Sequence, residues 1–155
     1  MSPQPPNSSD PLPELRLGDS GEAVSELRQL LAKCDRNFGL PGIPVGDVFD
    51  TQLEAIIRIF QYQVFLLQDG IVSDKTWRAL QADAPVHMPS VQLGSNNMAV
   101  RQAQRRLRQH NEYEISLDGN FDQVMHEVVV TFQTHQGLTS DGRIGPATWL
   151  CLSQR

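Results

Sequence analysis

The residues able to carry chemistry are few and scattered. Arg143 follows Asp141-Gly142, and a guanidinium at such a turn can hold a carboxylate through two parallel N–H donors, or close a local ion pair with Asp141. Gln61 and Gln133 each follow a phenylalanine, Phe60 and Phe132. Their amides can fix a neighbouring loop by bonding its backbone, or line a groove for ligand amides. Tyr113 lies in a polar stretch before Asp118, where its ring could stack on a sugar. Arg143, Asp141, Gln133, Gln61 and Tyr113 are therefore the candidate ligand-binding residues. Arg101, Arg105 and Arg108 recur at i, i+4 and i+7, which makes either a solvated helix face or a contact strip for carboxylates.

Catalytic and metal chemistry find less support. No histidine stands in a recognisable nucleophile or metal motif. His126 and His135 are nine residues apart, on different faces of any helix they share, which is a poor metal arrangement. Asp118-x-Asn120-x-Asp122 imitates the start of a calcium loop, but Gln123 and Val129 stand where that loop needs Gly and Glu. A turn followed by a helix N-cap is the better reading. Cys34 and Cys151 are too few for a disulfide framework and read as small buried hydrophobes. The expectation is a protein with no catalytic residues, no metal and no cofactor.

Composition narrows the partners. Of 155 residues, 39% are hydrophobic and 20% charged, which suits a soluble globular chain with one core or two small ones. The net charge of −5 argues against a duplex nucleic-acid binder, which needs a basic field. No run approaches the ~20 apolar residues of a membrane span. The start, Met1-Ser-Pro-Gln-Pro-Pro-Asn, lacks the basic and apolar regions of a secretory signal.

The elements that must position these residues come from an internal duplication. Leu17-Gly18, Val24 and Leu31 recur 76 residues later as Leu93-Gly94, Val100 and Leu107. Further on the offset is 72: Phe49-Asp50, Phe60-Gln61, Asp69-Gly70, Thr76-Trp77 and Leu80 recur as Phe121-Asp122, Phe132-Gln133, Asp141-Gly142, Thr148-Trp149 and Leu152. The four-residue change falls in the Pro/Gly-rich stretch 38–45, where a surface loop absorbs it cheaply. Each repeat reads as helix, loop, helix, turn, short helix. Asp19 with Glu22 has the form of a capping box before the apolar stripe Val24, Leu27, Leu31. Asp50 is a candidate N-cap for a second helix whose face is Leu53, Ile56, Ile57, Phe60 and Val64. Its twin is Met125, Val128, Val129, Phe132 and Gln136. The last helices start near Ser73 and at Pro146, and their tryptophans read as core with an edge that could face a sugar.

Leu117-Asp-Gly-Asn-Phe-Asp122, Thr131-Phe-Gln133 and Gly137-Leu-Thr-Ser-Asp-Gly-Arg-Ile-Gly-Pro-Ala-Thr-Trp149 together resemble the three-helix peptidoglycan-binding domains of bacterial wall hydrolases. The first repeat matches the opening as Leu15-Arg-Leu-Gly-Asp-Ser-Gly-Glu-Ala-Val24, then departs: Gly46-Asp47 stands for Asp-Gly and Ser73-Asp74 for Gly-Pro. The resemblance implies an all-α fold of two tandem modules at 15–82 and 92–155, joined by a linker at 83–91 and preceded by a Pro-rich disordered arm at 1–14. It also implies non-catalytic binding of peptidoglycan, with stem-peptide carboxylates and amides as ligands for Arg143 and the glutamines. A cell-envelope location follows from the resemblance, although this chain shows no export signal. The alternatives are a scaffold with a protein partner, and the targeting part of a wall hydrolase.

Overall fold

The computed structural model describes residues 12–86, 88–111 and 114–154, and among these the chain is all-α. Helices α1 (Glu22–Phe38), α2 (Thr51–Gln63) and α3 (Asp74–Ala82) build the first module. Helices α4 (Met98–Asn111), α5 (Gln123–His135) and α6 (Pro146–Ser153) build the second. The anticipated caps of the second helices are present: Asp50 accepts the Leu53 N–H at 2.8 Å and Asp122 accepts the Met125 N–H at 2.9 Å. The apolar stripe of α2, from Leu53 through Ile56, Ile57 and Phe60, continues to Val64 just past its end, and all five are buried. In α5, Met125, Val129 and Phe132 are buried, Val128 partly so, and Gln136 is exposed.

The expected capping box of α1 is not formed. Gly21 occupies the N-cap at φ 122°, and the Asp19 carboxylate accepts the Arg16 N–H at 2.9 Å. The cause is upstream. Gly18 donates to the Phe49 carbonyl at 2.9 Å and Gly21 to the Asp47 carbonyl at 2.8 Å. This extended approach reserves Asp19 for a turn before the helix begins.

Short antiparallel bridges tie the loops of each module. Leu15 pairs with Val72 and Ser20 with Val48; Val91 pairs with Ile144 and Asn96 with Asn120. The second pair of bridges lies at the same 76- and 72-residue offsets as the sequence repeat, so the duplication extends to backbone contacts. Trp77 and Trp149 are core residues, 1% and 2% exposed. Their indole N–H groups donate to the Pro13 and Pro89 carbonyls at 2.8 and 3.0 Å, which satisfies the polar edge of each ring. Pro13 and the partly buried Leu12 thus join the first module's packing. Residues 1–11 of the arm lie outside the described residues.

The modules also touch each other. Phe65, just past α2, meets Trp149 edge-on with ring centroids 5.0 Å apart. Phe65 sits at φ +64°, where its repeat counterpart is Gly137 at φ +72°. A left-handed L-residue costs about 1–2 kcal/mol, and contact with the second module's tryptophan offsets it. Arg106 of α4 donates to Gln63 Oε1 at 3.1 Å and to the Tyr62 carbonyl, with its guanidinium 4.2 Å from the Tyr62 ring centroid.

Candidate functional site

Each module carries a clasp built from the glutamine after the helix-two phenylalanine. Gln133 is 1% exposed. Its Nε2 donates to Asp141 Oδ1 (3.2 Å), the Arg143 carbonyl (2.8 Å) and Thr148 Oγ1 (3.1 Å), and its Oε1 accepts the Gly142 N–H (2.9 Å). Gln61 repeats every contact with Asp69 (3.0 Å), the Ile71 carbonyl (2.9 Å), Thr76 (3.3 Å) and the Gly70 N–H (3.0 Å). The amide of each is committed to the turn between helices two and three. Gly142 is required there: φ is +76°, and a Cβ would collide with the His126 ring.

The clasp fixes the backbone of the Asp141 turn. Asp141 Oδ1 also accepts the Arg143 N–H at 2.9 Å. That bond is the main reason the Asp141 carboxyl lies below its ordinary range, with the Gln133 amide and the Arg143 charge adding to it. Arg143 itself is exposed, and among the described residues its guanidinium makes no hydrogen bond or ion pair. The candidate residues Gln133, Asp141 and Arg143 come together around an open groove of about 370 Å³, completed by Gly137, Pro146 and Thr148. The N-cap of α6 is Gly145, which supplies no side-chain acceptor, so the positive end of the helix faces the groove's rim uncapped.

The first module has the same groove at positions 72 residues earlier, about 560 Å³, lined by Gln61, Asp69 and Thr76. Its chemistry differs. Ile71 stands in place of Arg143, Ser73-Asp74 in place of Gly145-Pro146, and Phe65-Leu66-Leu67 in place of Gly137-Leu138-Thr139. Gln61 is therefore brought together with Asp69, at the far repeat from Arg143. Tyr113 lies outside the described residues. Arg101, Arg105 and Arg108 are exposed along α4, His126 packs by Gly142, and His135 is exposed.

One clasp escaped the sequence reading. Gln104, four residues after Val100, donates to Asp118 Oδ1 at 3.1 Å and the Asn120 carbonyl at 3.0 Å, and accepts the Gly119 N–H at 2.9 Å. Asp118 is held below its ordinary range, chiefly by the Asn120 backbone N–H. The calcium-like Asp118-x-Asn120-x-Asp122 is thus a clasped turn followed by a helix cap. In the first module Arg28 fills the role of Gln104. It is 6% exposed and donates to the Pro44 carbonyl at 2.9 Å and the Val48 carbonyl at 2.5 Å. This explains how that module tolerates Gly46-Asp47 where the second has Asp118-Gly119. The signal was present in the sequence, since Arg28 and Gln104 occupy the same position at the 76-residue offset of the repeat.

Two copies of a small helical fold, each with a clasped turn and an open groove, define a tandem binding module. The chain belongs to the family described as "Putative peptidoglycan binding domain", which matches residues 20–80 and again 96–152. It is 33% identical over 153 residues to the N-acetylmuramoyl-L-alanine amidase CwlM of Mycobacterium tuberculosis. That match covers 86% of this chain and spans 36% of the amidase's length. Among solved structures, a peptidoglycan-binding protein from Clostridioides difficile in complex with glutamine hydroxamate is 35% identical, with TM-score 0.41, over 43% of this chain and 41% of that one. A Burkholderia AP3 phage endolysin is 25% identical, with TM-score 0.43, over 68% of this chain and 34% of that one. Among the described residues no helix is long and apolar enough to cross a membrane.

Proposed function

We propose that this chain binds bacterial cell-wall peptidoglycan without cleaving it, and that the second module's groove makes the decisive contact. The observation that carries this reading is the exposed Arg143 guanidinium, unpaired among the described residues, at a groove bordered by the uncapped end of α6. A stem-peptide carboxylate fits that chemistry through a bidentate pair. Gln133 and Asp141 act as positioning residues: their polar atoms hold the loop from which Arg143 extends. Gln61 and Asp69 hold the equivalent turn in the first module, whose groove has Ile71 in place of the arginine and takes less of the load. Two modules on one chain raise avidity when both reach the polymer together.

The test is co-sedimentation of the full chain with insoluble, protein-free peptidoglycan, beside an Arg143→Ala variant. Saturable pelleting that weakens about 10-fold or more in the variant is the expected result, a loss of about 1.4 kcal/mol or more. Equal pelleting of the two proteins removes Arg143 from the site, and no pelleting overturns wall binding. The supernatant is assayed for soluble wall fragments; their release would overturn the non-catalytic reading. The chain's match to 36% of an amidase favours one further reading, that it acts as the wall-attached part of a hydrolase whose catalytic domain is elsewhere.

A further inference from the structure

The cleft between the two modules has chemistry that neither repeat has alone. It is about 370 Å³ in volume and is lined by Tyr62 and Gln63 from the first module and by Arg106, Gln109, His110 and Gln154 from the second. Arg106 is the unusual member. It is a buried residue, 5% exposed, and it lines the cleft. A buried charge ordinarily requires a counter-charge or a metal. Here no carboxylate touches it among the described residues. Its partners are the Gln63 amide oxygen, the Tyr62 carbonyl, and the faces of Tyr62 and Phe65 at 4.2 and 4.6 Å.

The donor count is also incomplete. A guanidinium has five N–H donors, and among the described residues two are matched to protein acceptors. The rings soften the charge but accept no conventional hydrogen bond. Desolvation pushes the Arg106 pKa down and the neighbouring Arg105 pushes it further, against an opposing pull from Tyr62, so the surroundings resist the cation more than they compensate it. Among the described residues the rest of the lining is polar and carries no acid: the Gln109 amide bonds the Tyr62 hydroxyl at 2.9 Å, and Gln154 also lines the cleft. His110 Nε2 must donate to the Leu152 carbonyl, 3.2 Å away, because a carbonyl can only accept.

We propose that this inter-module cleft is a binding site for a small anionic group, a carboxylate or a phosphate, held by the free N–H donors of Arg106 and the amides of Gln109 and Gln154. The site is composite. Its first-module wall is held against α4 by the Phe65–Trp149 contact and by the bonds of Arg106 and Gln109 to Gln63 and Tyr62. It is separate from the Arg143 groove and does not depend on that groove's ligand.

The experiment is an NMR titration of the full chain with N-acetylglycine, with inorganic phosphate, and with sodium chloride at matched ionic strength. The signals followed are the Arg106 Nε–H and the Gln109 and Gln154 side-chain amides. Saturable shifts with either anion and none with chloride are expected, and which anion saturates identifies the ligand class. Gln154→Glu places a negative charge in the cleft lining without removing packing, and should weaken binding at least 5-fold with an unchanged melting temperature. Arg106→Gln should abolish the shifts, whereas Arg143→Ala should leave them intact. Shifts that fail to saturate, that chloride reproduces, or that survive Gln154→Glu would overturn the proposal.

Discussion

Replacing Gln133 by glutamate changes one N–H₂ group to oxygen and tests whether the clasp holds the Arg143 turn. The new carboxylate keeps its bond from the Gly142 N–H but can no longer donate to the Arg143 carbonyl or to Asp141 Oδ1. Two lost hydrogen bonds cost about 1 kcal/mol each. Two carboxylates about 4 Å apart then repel by about 4 kcal/mol at an effective dielectric constant of about 20. The sum, about 6 kcal/mol, is comparable with the whole stability of a ~60-residue module, about 3–9 kcal/mol. The repulsion raises the folded pKa of the introduced carboxyl above its unfolded value. A raised carboxyl pKa means the folded form holds the proton longer than the unfolded one. The penalty is therefore full above the folded pKa, shrinks as pH falls, and its charge part is gone below the unfolded pKa. Asp141 and Asp118 in the wild type behave oppositely. Their depressed pKa values stabilise above the unfolded value and lose that contribution as pH falls through the folded one. Urea denaturation of variant and wild type at pH 7.5 and pH 4.5, read by tryptophan fluorescence, separates these effects. The gap between the two proteins should be several kcal/mol at the higher pH and about half or less at the lower. A gap under about 1 kcal/mol at pH 7.5, unchanged at pH 4.5, would refute the clasp as the element that holds the loop.

Two other outcomes follow from the same network of contacts. Arg28→Gln removes charged donors from the Pro44 and Val48 carbonyls, and should lower the first module's stability by about 2–3 kcal/mol in a denaturant melt. Cys34 is 0% exposed and burial near Asp83 pushes its thiol up to about 12, so at pH 8 an alkylating or disulfide reagent should label only Cys151 in the folded chain and both thiols after unfolding, counted by mass spectrometry.

The fold was legible because periodicity and repetition both encode burial. The stripe from Leu53 to Val64 could leave water only by facing a core, and its recurrence at Met125 to Phe132 gave the same inference twice. The N-caps Asp50 and Asp122 were legible because their geometry is local, three residues from donor to acceptor. Asp19 misled for the opposite reason. Its local spacing was right, but contacts to Asp47 and Phe49, distant in sequence, fixed the chain's approach to α1. The glutamines posed a harder problem. Their position after Phe60 and Phe132 was visible, but only the folded turn shows each amide bonded on both its nitrogen and its oxygen. The Gln104 and Arg28 clasps joined residues on separate elements, and one repeat hid the correspondence behind a change of side chain and of turn sequence.

That same comparison explains why the two modules are not interchangeable. The repeat sets each groove residue of one module opposite its twin in the other, so each difference between them is visible. Phe65 for Gly137 carries a left-handed backbone at a cost of about 1–2 kcal/mol, which a freestanding module has no reason to bear. The ring that accepts this strain lies against Trp149 and Arg106 of the other module. Phe65 thus belongs to the contact between modules, and it also sits in the wall of the first module's groove. Ile71 for Arg143 removes the cation from that groove at the same time. One module thus has Phe65 and Ile71 where the other has Gly137 and Arg143, and the second module supplies the tryptophan that the Phe65 ring meets. The first module's turn makes the contact between the modules, and the second module's turn leaves an exposed arginine beside its groove.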